Sequence, residues 1–245
     1  MTEQNGLIAA AGDLLRRGKM GKIGEIVLPF AAAVLIILGM APLAGENPIW
    51  RQMIVWGANL VMLLIVWGGL YARGEDWSHL GLTFSYSTLR TLGYSLLVFI
   101  AALAGFMVGS MIMINLTGLP VSADFSGYNY LEGNLPLLLL ALAAVFFASS
   151  FGEEVIYRGF LITRISELGK NSRLWTRIAV LASSVIFGLI HFEWGMTGMV
   201  QTAFMGLALG ISFLLVKRNL WILVLAHAYM DAILMIQMYL GAAGQ

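Results

Sequence analysis

The sequence predicts an all-α, polytopic transmembrane helical bundle, and three observations predict it. Of 245 residues, 60% are hydrophobic and only 11% charged, whereas a soluble domain carries about 25% charged residues. Seven apolar segments follow one another, each near the roughly 20 residues that a spanning helix needs. The connections between them are short, or rich in Gly, Ser, Asp and Asn, as extramembrane turns are.

The expected spans are 25–44, 52–72, 91–116, 136–164, 178–194, 196–216 and 219–240. The first holds Pro29 and Pro42, which blur its ends. The second is the cleanest, with no charge between Arg51 and Arg73. The third and fourth are set off by polar stretches at 73–90 and 117–134. The fifth and sixth are parted only by Phe192-Glu193-Trp194-Gly195, a tight turn with an interfacial Trp. The seventh follows Lys217 and Arg218. Residues 1–23 read as a cytoplasmic tail or surface helix rather than a signal peptide, because no small-residue cleavage site follows the first apolar run. Residues 24–245 read as one transmembrane domain. No internal repeat or low-complexity segment is visible.

Basic residues orient the chain, since basic loops stay cytoplasmic. With the N-terminus inside, thirteen Lys and Arg fall on inner segments and one, Arg51, on an outer segment. That pattern predicts seven spans with a cytoplasmic N-terminus and an external C-terminus. The chain is thus expected to be a multi-pass protein, of the cytoplasmic membrane if it is prokaryotic. With no cysteine, disulfides, thiolate metal sites and cysteine nucleophiles are excluded. A net charge of +1 implies no nucleic-acid partner.

Against this background, charged side chains in apolar segments stand out. A charge at the bilayer centre costs roughly 2.5–3.5 kcal/mol on insertion scales, so intramembrane ionisable residues are functional candidates by default. Glu153, Glu154 and Arg158 follow directly on the uncharged run 136–152, and His191, His227 and Asp231 lie in later spans. At about 1.5 Å of rise per residue, Glu153, His191 and His227 come out roughly 16, 21 and 14 Å from the inner edge. All three depths are near the middle of a core about 30 Å thick.

Spacing then sets faces. Glu154 and Arg158 are four residues apart and can pair. Glu153 points about 100° away from Glu154 on a regular helix, free to face another helix. Phe187 can wall the pocket of His191, four residues on. Asp231 can orient the ring of His227, also four residues apart. Gly152, Gly159, Gly188 and Gly195 are small enough for close helix packing.

This equipment suits water activation. A carboxylate beside a histidine is a general base. A second histidine with an acidic partner can stabilise an oxyanion. Amide hydrolysis fits without any cofactor. Metal-assisted hydrolysis fits as well, because Glu153, His191 and His227 are a donor set for zinc. Each feature alone has a plainer reading. An intramembrane His is often only a helix–helix hydrogen-bond partner. Glu154–Arg158 alone reads as structural, and Glu193 as interfacial. His79 reads as a surface residue, and Asn59, Asn115, Gln201 and Gln237 as locally satisfied amides. Three polar sets at one depth are harder to dismiss.

Taken in order, Glu153-Glu154-x-x-x-Arg158, Phe187-x-x-x-His191 and His227-x-x-x-Asp231 resemble the three motifs of the CPBP (Abi) intramembrane endopeptidases. That family includes type II CAAX prenyl endopeptidases and bacteriocin-processing or self-immunity proteins. The resemblance covers roughly 136–240. The family's third motif often ends in Asn, where this chain has Asp231. The resemblance implies that Glu153 and His191 activate water, that His227 and Asp231 serve the oxyanion or place the water, and that Glu154 and Arg158 support them. It also implies a membrane-associated or lipid-anchored peptide or protein as substrate. Both metal-dependent and glutamate-dependent mechanisms have been described for the family. Signatures of other intramembrane proteases, Gly-x-Ser-Gly, Gly-x-Gly-Asp and His-Glu-x-x-His, are absent from the sequence. The alternatives are an immunity or scaffold protein on the same fold, or a proton-coupled transporter. The latter is disfavoured by the lack of two similar halves.

Overall fold

The computed structural model of the chain describes residues 12–13, 18–118 and 122–241, and among these it is all-helical, with no strand. Most of the expected tail 1–23 lies outside the described residues. The helices are α1 (Lys19–Ala44), α2 (Pro48–Arg73), α3 (Thr88–Thr117), α4 (Leu135–Leu168), α5 (Arg173–Leu189), α6 (Gly195–Leu215) and α7 (Leu220–Tyr239). Six of them are long and apolar enough to cross a membrane: α1 to α4, α6 with the turn before it, and α7. The expected span 178–194 corresponds to α5, which has 17 residues and is the shortest of the seven. The first span begins at Lys19, earlier than the expected 25, and runs through both prolines.

Local chemistry explains several boundaries. Asn47 caps α2, its Oδ1 accepting from Ile49 and Trp50 N–H at 3.0 and 3.1 Å, with Pro48 pre-set as the first helical residue. Gly74 closes α2 in the left-handed region at φ 65°. Asn134 caps α4 and Ser172 caps α5 in the same manner. Helix α4 is irregular in its middle. Two stretches, Phe146–Phe151 and Glu154–Leu161, are π-helical, so the turn widens on either side of Gly152-Glu153.

Helix α4 is also the axis of the molecule. Residues 152–164 are all buried. They are covered by α2, α5, α6, α7 and the turn that carries Leu80. A main core of Tyr157, Phe160, Phe187, Leu209 and Phe213 surrounds this segment. A smaller core, with Tyr128, Leu131, Leu138 and Met235, lies toward the other end of α4. Small residues allow the helices to close. A Cβ at Gly109 would lie 2.6 Å from Gln201 Cα, and one at Gly188 would lie 2.6 Å from the Met199 carbonyl oxygen. Gly195 differs from the sequence reading: open space surrounds it, and its φ of 72° makes it a turn residue rather than a packing residue.

The loops gather at two ends. At one, Leu220 N–H donates to the Gly81 carbonyl at 2.8 Å, and Arg218 reaches Thr163 at 3.5 Å. At the other, Asp124 N–H donates to Trp194 at 3.1 Å and Gly133 N–H to Tyr239 at 3.0 Å. The first end holds a buried ionic network. Arg164 contacts Glu25 (2.9 Å), Glu75 (2.6 Å) and Glu167 (2.9 Å). Arg73 contacts the same three carboxylates at 2.9, 3.0 and 2.9 Å. His79, expected as a plain surface residue, borders the network 3.3 Å from Glu167. Arg158 and Arg164, two of the thirteen basic residues assigned to inner segments, are buried, at 1% and 0% exposure.

Candidate active site

The wide turns around Gly152-Glu153 change the geometry that a regular helix implies. The two carboxylates, expected to diverge, both approach His227. Glu154 Oε1 lies 2.8 Å from His227 Nδ1, and Glu153 Oε2 lies 4.0 Å from His227 Nε2. Glu154 Oε1 also accepts from Arg158 Nη1 at 2.8 Å, so the expected pair forms. The Arg158 guanidinium stacks on the face of Phe187, 4.1 Å from its centroid, a cation–π contact. Glu154, Arg158, Phe187 and His227 are at most 3% exposed. Their contacts offset part of the cost of burying these charges, while Glu154 Oε2 and Arg158 Nε have no hydrogen-bond partner.

The structure corrects the reading of His227. Glu154, not Asp231, fixes the ring. With Nδ1–H donating to Glu154, Nε2 is the nitrogen turned toward Glu153 and Asp231. Asp231 Oδ1 lies 3.6 Å from Nε2, while its Oδ2 accepts from Ser150 Oγ at 2.7 Å. The His227–Asp231 spacing is therefore a long electrostatic contact rather than the orienting hydrogen bond that i, i+4 suggested.

His191 does not sit within a span. Helix α5 stops at Leu189, and His191 occupies the turn that follows. Its Nδ1–H donates to the Phe187 carbonyl at 2.7 Å, which leaves Nε2 open. Its ring packs on Phe187 and Trp194, with centroids 4.9 and 4.6 Å away. His227, rather than His191, is the imidazole that the structure sets against Glu153.

Glu153, His191, His227 and Asp231 open onto one cavity of about 760 Å³. Its walls are mostly apolar, from α1, α2, α3, α5 and α7. Glu153 is 6% exposed, and its Oε2 has no hydrogen-bond partner. Two contributors were not legible as site residues. Ser150 tethers Asp231 from the residues just before the first motif. Asn59, from α2, donates to Glu153 Oε1 at 3.4 Å. As the only charged or amide side chain between Gln52 and Arg73, Asn59 carried the signal of an isolated polar group in an apolar span.

The suggested zinc donors do not converge. Among the described residues no group of three or more His, Cys, Asp or Glu side chains is arranged to hold a metal ion. In each histidine Nδ1 is engaged, His191 with a carbonyl and His227 with Glu154, and Nε2 is the remaining donor, but these donors form no such group in this structure.

Fold and site together define an integral membrane protein with a carboxylate–imidazole centre buried at its axis. Residues 135–233 match the family model of the type II CAAX prenyl endopeptidase Rce1-like proteins. The match spans Glu153 through Asp231, while Asn59 and the whole of α1 to α3 lie outside it. No curated protein and no solved structure matches the chain.

Proposed function

We propose that the chain is an intramembrane endopeptidase that hydrolyses a membrane-associated or lipid-anchored peptide with a water activated by Glu153. The carrying observation is Glu153: the residue lines the cavity, and its buried Oε2 has no partner and lies 4.0 Å from His227 Nε2. A water bridging these atoms meets both at ordinary hydrogen-bond distance. Glu153 takes the water's proton as the oxygen attacks the scissile carbonyl. His227, with one N–H on Glu154, carries its second N–H toward the developing oxyanion. The proton on Glu153 then passes to the leaving amine. His191, with Nδ1–H tied to Phe187, offers Nε2 to the water or the substrate. The scheme is metal-free.

The route of entry supports a membrane substrate. Helix α1 packs on α2, whereas α3 packs on α6 and α7. Phe30 and Val34 of α1 and Phe99 and Phe106 of α3 face the same cavity. Val34 and Leu38, also in the wall, are 53% and 68% exposed. An extended peptide can thus enter from the bilayer between α1 and α3. A prenylated CAAX tail is the substrate suggested by the family description.

The test uses purified protein in liposomes and two fluorogenic probes, a farnesylated peptide ending in Cys-aliphatic-aliphatic-X and its unprenylated counterpart. The proposal expects cleavage that withstands a strong chelator, with the farnesylated probe preferred. Cleavage abolished by chelation and restored by zinc would overturn the metal-free scheme, and no cleavage of either probe would count against the substrate class.

A further inference from the structure

We infer that Asn59 is a positioning residue for Glu153, holding one carboxylate oxygen so that the other faces the water. The inference rests on Glu153 being the base, and it concerns a helix outside the family match. Asn59 is buried, at 6% exposure, in the middle of α2. Its Nδ2 reaches two oxygens of α4, the Ala148 carbonyl at 3.3 Å and Glu153 Oε1 at 3.4 Å. Both are acceptors, and an amide NH₂ carries two donors. The pair of acceptors therefore fixes which way the amide points. One N–H is spent on the backbone, and the other is aimed by it at the carboxylate.

The consequence falls on the second oxygen. A carboxylate turns readily about its last torsion, and its two oxygens are then equivalent. With Oε1 tied to α2, Oε2 is left without a partner, 4.0 Å from His227 Nε2, in a residue that lines the cavity. The anchor on Ala148 matters because Ala148 lies in the π-helical stretch Phe146–Phe151. Wide turns at that point leave the local helix a weak guide for the Glu153 side chain. A donor on a neighbouring helix, tied to that same turn, registers the carboxylate against it. Gln201 is the contrasting case: its Nε2 donates to Ser110 Oγ at 2.8 Å across α6 and α3, away from the site.

The experiment compares wild type, Glu153→Gln, Asn59→Leu, Asn59→Met and Gln201→Leu in liposomes. Infrared difference spectra between acid and neutral pH isolate carboxyl bands, and the band lost in Glu153→Gln is that of Glu153. Asn59→Leu and Asn59→Met should each shift that band, while Gln201→Leu leaves it in place. On the farnesylated probe, kcat should fall about tenfold with KM unchanged in the Asn59 variants, the effect of one hydrogen bond to a charged group. A Glu153 band that stays put in both Asn59 variants would overturn the inference, as would a loss confined to KM. If wild type cleaves no probe, the endopeptidase reading suffers, and the infrared comparison alone decides the role of Asn59.

Discussion

At the scale of single residues, Asp231 shows how a motif can be legible while its geometry is not. Its spacing from His227 suggested a direct hydrogen bond, yet the closest approach to the ring is 3.6 Å, and its short contact is with Ser150. An amide oxygen can accept from Ser150 as well as a carboxylate oxygen can. Asp231→Asn should therefore keep activity within about tenfold, whereas Asp231→Leu strands a buried hydroxyl and should lose more. Steady-state cleavage by the two variants checks this, and equal losses would show that the charge of Asp231 is what matters. Six of the residues first singled out, Glu153, Glu154, Arg158, His191, His227 and Asp231, were legible because ionisable groups in apolar runs are costly, and Phe187 was legible from its spacing to His191. Asn59 and Ser150 were not, because neutral polar groups in helices have ordinary local uses. Asn115 illustrates those uses, donating to the Met111 carbonyl one turn back at 2.7 Å.

At the scale of elements, the apolar segments gave the helices but not their irregularities. No periodicity marks the π-helical stretches of α4, and these bring Glu153 and Glu154 onto the same histidine. The long buried segment 152–164 was hidden for a related reason. In a membrane protein, core-facing and lipid-facing residues are both apolar, so hydrophobicity does not separate them. Two substitutions test the packing of α4 and α5. Arg158→Ala removes one partner of a buried pair, a loss worth about 3–5 kcal/mol, and also its stack on Phe187. Thermal stability should fall together with activity, and an inactive variant that melts normally would move Arg158 into the chemistry. Gly188→Val places a branched side chain against the Met199 carbonyl and Ala203 of α6. It should force α5 from α6 and lower the melting temperature, while the same change at Gly57, which has open space around it, should not.

At the scale of the whole molecule, the network of Glu25, Arg73, Glu75, Arg164 and Glu167 ties α1, α2 and α4 together at one end. Its members were visible as charges near span ends, but their pairing depends on tertiary contacts that no local pattern carries. Burial pushes the Glu75 carboxyl up, and the bonds from Arg164 and Arg73 more than reverse this, leaving it below its ordinary value. A depressed carboxyl contributes stability that is complete above its unfolded value and is lost as pH falls through the folded one. Melting temperature measured against pH should therefore drop in acid for wild type and drop less for Glu75→Gln. Identical acid limbs would remove Glu75 from the network's role in stability. We propose that this end is cytoplasmic. The chain has no cysteine, so a cysteine at Ser126 should label from outside and one at Ser172 should not, and the reverse pattern would invert the orientation. The central claim is that Glu153 is the general base, and one comparison reaches it most directly: product formation by wild type and Glu153→Gln in the same liposomes, read by mass spectrometry of the cleaved probe. Glutamine keeps the shape and still accepts from Asn59, but it cannot take a proton. Turnover should fall by at least about 10² while the melting temperature holds, and a Glu153→Gln variant that cleaves at the wild-type rate would contradict the account.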